Sequence, residues 1–191
     1  MSILSPALLG AVGLVLLASA AGHLRSPAAL RHGLDAQGVV PQVARRAVSL
    51  LLGPVETVLG VAAILAAVTG PRPALALWAG LPSAALFAVL ALYLTAVLRS
   101  TAGRPVPCAC GLGEAPVGPS TVLRAAFLGA MAALGGATAG GWSPGTAPHE
   151  ELIVALAAAL VLAVATALLP AARAVPAATL HVRTVDLGGP R

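Results

Sequence analysis

The chain has 191 residues, 59% apolar and only 9% charged, with a mean hydropathy of +0.97 and a formal net charge of +5. A soluble domain carries about a quarter charged residues, so this composition excludes an ordinary water-soluble globule, and its hydrophobicity excludes a disordered chain. Aromatic residues make up 3% and no basic stripe is interleaved with them, which argues against a nucleic-acid surface; in a membrane protein the arginine excess reports cytoplasmic loops and anionic lipid.

A hydrocarbon core about 30 Å thick needs about 20 helical residues at about 1.5 Å each. The first apolar stretch, residues 3–22, holds no charge. Ala18-Ser19-Ala20 looks like a signal cleavage site, but no Arg or Lys precedes Arg25. The basic segment of a signal peptide is missing, and a retained helix is expected. Residues 23–46 form the longest connection, with Arg25, Arg31, Asp35, Arg45 and Arg46. Within it Ser26-Pro27, a cap followed by proline in the first turn, predicts a short interfacial helix carrying Leu30 and Leu34. The second stretch, 47–69, is interrupted by charge only at Glu56, and the tight turn Gly70-Pro71-Arg72-Pro73 leads into the third, 74–98. Residues 99–120 contain both cysteines. The fourth stretch, 121–141, has Arg124 near its start and Gly129, Gly135, Gly136, Gly140 and Gly141 beyond, small residues that suit close helix packing. Trp142 follows as an interface anchor, and the fifth stretch, 152–169, is short but unbroken.

The expected architecture is an all-α integral membrane bundle of four core transmembrane helices plus a fifth. One domain spans residues 1–170, and 171–191 form a polar tail. The chain is expected to be multi-pass in the cell inner membrane. With five spans, Arg25, Arg31, Arg45, Arg46, Arg99, Arg104, Arg173, Arg183 and Arg191 share one side and Arg72 stands alone on the other. The positive-inside rule turns the arginine-rich side, cysteines included, toward the cytoplasm. Thiols there are kept reduced, whereas extracytoplasmic disulfide formation needs the pair on the other face, so either the pair relays reducing equivalents across the membrane or the topology is the reverse of this count.

The two cysteines lie in Val106-Pro107-Cys108-Ala109-Cys110-Gly111. A purely structural bridge around one residue would stabilise little, because disulfide stabilisation grows with loop length. A redox role has a mechanism: so small a ring departs from preferred disulfide geometry and is easily reduced. Arg104, Arg99 and Arg124 are near enough in sequence to favour a thiolate. Pro105 and Pro107 stiffen the loop, and Gly111 and Gly113 leave room for a partner's backbone. The pattern fits thiol–disulfide exchange at an exposed cysteine with a resolving neighbour. Two thiolates could hold Cu(I), but zinc needs four ligands and the histidines are scattered at 23, 32, 149 and 181, so no metal site is expected. The alternative is a non-catalytic membrane scaffold or assembly factor, or a protein whose cysteines merely hold a metal.

Glu56 would cost about 3 kcal/mol at the middle of a bilayer. It is expected to face the bundle interior and bond to the neighbours of Thr57, to Ser83 or to Tyr93. A polar contact between helices and a proton-relay or ligand role weigh equally for it. His23 and Arg25 end the first helix, where headgroups or the cysteine loop are their expected contacts.

Three segments together carry a resemblance. Gly22-His23-Leu24-Arg25-Ser26-Pro27 closes the first helix, and Pro54-Val55-Glu56-Thr57-Val58-Leu59-Gly60 lies in the second. Cys108-Ala109-Cys110-Gly111 follows the third, with Pro116-Val117-Gly118 and Arg124 after it. Over residues 5–140 this resembles the MauE membrane proteins of methylamine utilisation, relatives of the DoxX group. The resemblance implies assistance in disulfide formation or maturation of a methylamine dehydrogenase-type client, together with a thioredoxin-like protein. It implies Cys108 and Cys110 as the catalytic redox pair, were the chain a thiol–disulfide oxidoreductase, and Glu56 and Arg124 as buried polar positions; Arg104 is a supporting polar residue by its place next to the cysteines alone. The chain departs from the family at Gly111-Leu112-Gly113, where a Phe-Gly is usual, and at His23-Leu24-Arg25-Ser26-Pro27, which replaces a Lys-Leu-Arg-Asp-Pro-like element. No cofactor is required by the sequence; a quinone-like acceptor touching Glu56 is the one left open.

Overall fold

The computed structural model describes residues 3–69, 72–102, 104–108, 111, 116–140 and 147–173, with side chains as far as residue 168. Six helices follow in order: α1 (Leu4–Arg25), α2 (Pro27–Gln37), α3 (Gln42–Val68), α4 (Pro73–Thr101), α5 (Pro119–Ala137) and α6 (His149–Arg173). All but α2 are long and apolar enough to cross a membrane. The protein is an all-α, multi-pass membrane protein, as its lack of charge demands. Among the described residues, extended pairing is confined to one isolated antiparallel bridge between Pro107 and Pro116.

α1 is the axis of the bundle. Of its most apolar window 67% is buried, whereas no other span exceeds 44%. Leu9, Val12 and Leu16 are sealed from both solvent and lipid, and α1 packs on α3, α5 and α6. Two crossings depend on missing side chains. Where α1 meets α3, a Cβ on Gly13 would stand 3.0 Å from the Gly60 carbonyl oxygen; where α4 meets α5, one on Gly80 would stand 2.6 Å from that of Ala132. Backbones thus approach closely, which compensates for the weak hydrophobic drive between helices in lipid. The outward faces carry Leu51, Val58, Trp78, Leu92 and Leu160. Such a band would aggregate in water and is at home in hydrocarbon.

α2 forms as its sequence predicts, with proline in its first turn. It stops at Gly38, whose φ of 67° is left-handed and whose N–H reaches the Leu34 carbonyl at 3.2 Å. Leu30, Leu34 and Gln37 are buried, while Arg31, His32 and Asp35 remain outside. Asp35 accepts from Arg45 at 2.7 Å, tying α2 to the start of α3.

Helix limits differ from the apolar stretches. α3 begins at Gln42 rather than residue 47, because a polar first turn holding Arg45 and Arg46 protrudes beyond the apolar run; Arg45 Nε donates to the Val40 carbonyl at 2.8 Å. α4 continues to Thr101, and α6 runs from His149 to Arg173, past the expected boundary at residue 170. Trp142 and residues 174–191 lie outside the described residues.

Candidate functional site

The cysteine segment is folded against three helices. After α4, Ala102 turns left-handed at φ 49°, and Arg104 donates from its backbone and its Nε to the Thr101 carbonyl at 3.0 and 3.3 Å. The Val117 N–H donates to the Val106 carbonyl at 2.9 Å beside the Pro107–Pro116 bridge. At the start of α5, Thr121 Oγ1 accepts from the Gly118 N–H at 3.1 Å and donates to the Gly118 carbonyl at 2.7 Å. From α2, Gln37 Nε2 donates to the Pro107 carbonyl at 2.8 Å, and Gln37 Oε1 accepts from the Tyr93 hydroxyl of α4. Pinned in this way, the segment turns Cys108 inward.

Cys108 is only 7% exposed and packs with Leu94, Val97, Val117 and Ala125. The expectation of an exposed cysteine is therefore corrected for Cys108: the proline-stiffened segment and its bridge direct its side chain into the bundle. Cys110 and Gly113 lie outside the described residues. Gly111 is described, and the space above it is taken by the protein itself. A Cβ there would fall 2.5 Å from the Ser19 carbonyl oxygen and 3.2 Å from the His23 ring, and one on Gly22 would fall 2.0 Å from the Gly111 carbonyl oxygen. The room predicted at Gly111 for a partner's backbone is thus filled by α1.

Glu56 faces inward and is 3% exposed. Among the described residues it meets α1: Oε1 accepts from Ser19 Oγ at 2.9 Å, and Oε2 lies 3.6 Å from His23 Nε2. Ser83 and Tyr93, the expected partners, are engaged elsewhere, Ser83 with the Ala79 carbonyl at 2.7 Å and Tyr93 with Gln37. Helix adjacency decides this, because α3 packs mainly on α1. His23 is buried, touching the cysteine segment rather than headgroups. Thr57 Oγ1 donates to the Gly53 carbonyl at 2.8 Å, one turn before it, beside Pro54.

These groups surround one cavity of about 310 Å³. Ser19, His23, Gln37, Glu56, Tyr93, Cys108 and Arg124 border it, and Leu16, Leu86, Phe87, Leu90 and Leu128 supply apolar walls. Of the three arginines expected near the thiols, Arg124 alone lines this space; Arg104 caps α4 and Arg99 points outward. The cavity joins a thiol, a carboxylate beside an imidazole, and a guanidinium. Those are the groups needed to ionise a sulfur and to carry a proton. Sequence reasoning missed Ser19 and Gln37. Both left a spacing signal: Gln37 falls on the buried α2 face with Leu30 and Leu34, and Ser19 lies one turn before His23.

Interhelical hydrogen bonds in membranes average about 0.6 kcal/mol and reach about 1.7. Glu56→Ala is therefore expected to lower the unfolding free energy in mixed micelles by about 1 kcal/mol. Glu56→Gln should lower it less, since an amide oxygen still accepts from Ser19. Equal losses in the two variants would deny the Ser19 bond its role.

Compared with known proteins, residues 1–138 match the family model described as "Methylamine utilisation protein MauE". No curated protein and no solved structure matches the chain. The matched residues run through α5 and include the whole cysteine segment, and α6 lies beyond them.

Proposed function

The chain belongs to the MauE family of methylamine utilisation membrane proteins, and on that premise we propose that it is a thiol–disulfide redox protein of the cell inner membrane. Its work is to help form the disulfides of a methylamine dehydrogenase-type client, through a thioredoxin-like protein. The observation that carries this reading is the placement of Cys108. It borders a cavity shared with Arg124, His23 and Glu56, with Cys110 two residues on.

The exchange balances as follows. A thiolate of the thioredoxin-like partner attacks one sulfur of the Cys108–Cys110 disulfide, forming a mixed disulfide and releasing the other sulfur as a thiolate. The partner's second thiolate then displaces the first sulfur. The partner leaves oxidised, and the pair remains as two thiols after taking up protons. Arg124 favours the thiolate form by its charge. Glu56 ties α3 to Ser19 and His23 of α1, and α1 in turn packs on Gly111 of the cysteine segment.

Replacing both sulfurs, Cys108→Ser with Cys110→Ser, is expected to reduce disulfide-complete client at least tenfold. Either single substitution should lower it as far, because one remaining thiol cannot form the disulfide that the partner reduces. Titration against graded glutathione should follow a two-electron couple. Full client maturation without either sulfur would instead support a scaffold that acts by contact alone.

A further inference from the structure

We propose that the cavity beside Cys108 binds the head of a lipid-soluble quinone, which takes the electrons of the reduced Cys108–Cys110 pair. This inference rests on the thiol–disulfide reading and names its electron acceptor. Three observations carry it.

The first is shape and setting. The cavity's volume of about 310 Å³ falls within the range of small-molecule sites, about 300–1,000 Å³. It is walled mostly by leucine and valine. At its margin stands Val89, which is 62% exposed on the outer face of α4, so the space reaches the lipid side of the bundle. A ligand entering there arrives from the bilayer.

The second is Arg124. It is 7% exposed, it lines the cavity, and among the described residues its side chain has no hydrogen bond or ion pair. A guanidinium offers five N–H donors and no acceptor. Buried without a partner it is costly, and a site that keeps one calls for an acceptor brought by a ligand. A quinone head presents two carbonyl oxygens and no donor, which is the complement of this wall.

The third is the thiol itself. A reduced pair can be turned over only if something removes two electrons, and Cys108 lies on the same cavity as Arg124. The step balances. The S–H bonds of Cys108 and Cys110 break and one S–S bond forms. Two electrons pass to the quinone ring, and the two protons end on its two oxygens, giving the quinol. An anionic lipid headgroup would also suit Arg124, but it accepts no electrons from a thiol.

The test uses the full chain in nanodiscs of phosphatidylcholine, reduced and freed of reductant, with decylubiquinone added. Absorbance reports quinol and thiol alkylation reports the pair; exchange with oxidised glutathione is measured in parallel. One quinol per pair is expected. Arg124→Met should raise the half-saturating quinone concentration at least tenfold, with a smaller change in maximal rate, and Arg124→Lys should recover part of the loss. A wild-type pair that exchanges with glutathione yet reduces no quinone overturns the quinone site and leaves the thiol reading standing. A pair inert to both fails the thiol reading. The pocket is then read by equilibrium dialysis of decylubiquinone, where binding unaffected by Arg124→Met overturns the site. Native mass spectrometry showing a phospholipid held at Arg124 that quinone does not displace overturns it as well.

Discussion

Gly22→Ala is expected to detach the cysteine segment from α1 while leaving the five spans inserted. The added Cβ would stand 2.0 Å from the Gly111 carbonyl oxygen and 2.8 Å from Gly111 C and Cα. Those are backbone atoms, so no side-chain rotation relieves the clash. α1 is gripped by α3, α5 and α6, whereas the segment hangs between the ends of α4 and α5. The segment is therefore the part that yields. Once displaced, Cys108 leaves its packing against Leu94 and Val117. Its alkylation by maleimide should accelerate at least tenfold, and client maturation should fall as far as it does without the sulfurs. Gly111→Ala should do the same from the opposite side, for two reasons: its Cβ would lie 2.5 Å from the Ser19 carbonyl oxygen, and its φ of 68° suits glycine. Gly129→Ala is the control, because its Cβ would meet Phe87 at an ordinary 3.4 Å. Unchanged alkylation in Gly22→Ala would refute the contact.

The second large effect is expected at the α4–α5 crossing. A Cβ on Gly80 would lie 2.6 Å from the Ala132 carbonyl oxygen and 2.9 Å from Gly136 Cα. Overpacking of this kind costs about 1–3 kcal/mol. A branched side chain belongs at the upper end, so Gly80→Leu should lose about 3 kcal/mol of unfolding free energy in mixed micelles. Gly80→Ala should lose less. Function should fall with Gly80→Leu too, since α4 carries Tyr93 and α5 carries Arg124. A Gly80→Leu protein as stable as wild type would mean that the helices do not meet there.

How far the sequence could be read follows from what each signal measures. The spans were legible because a charge-free run of bilayer length has few other uses, and the start of α2 because Ser-Pro is a local signal. The inward face of Glu56 was legible from the cost of exposing it to lipid. Its partners were not. Hydropathy shows that helices exist but not which ones touch, so Ser83 and Tyr93 looked as suitable as Ser19 and His23. The burial of Cys108 was hidden for the same reason. A segment flanked by prolines and glycines reads as an exposed loop, and it takes its bond to Gln37, its Pro107–Pro116 bridge and its contact with Gly22 to fold it inward. Gln37 itself looked like any polar residue on an interfacial helix.

The grip of Gln37 differs in kind from the Asp35–Arg45 pair nearby. The latter joins two formal charges at an exposed site, and added salt screens it as the Debye length shrinks from about 10 Å at 0.1 M to about 3 Å at 1 M, close to the 2.7 Å of the contact itself. Gln37 uses both ends of a neutral amide, giving a hydrogen to Pro107 and receiving one from Tyr93. A neutral clasp has no charge for counterions to shield. The hold of α2 on the thiol segment should therefore stay constant as ionic strength changes, even while the outer fastening of that helix loosens.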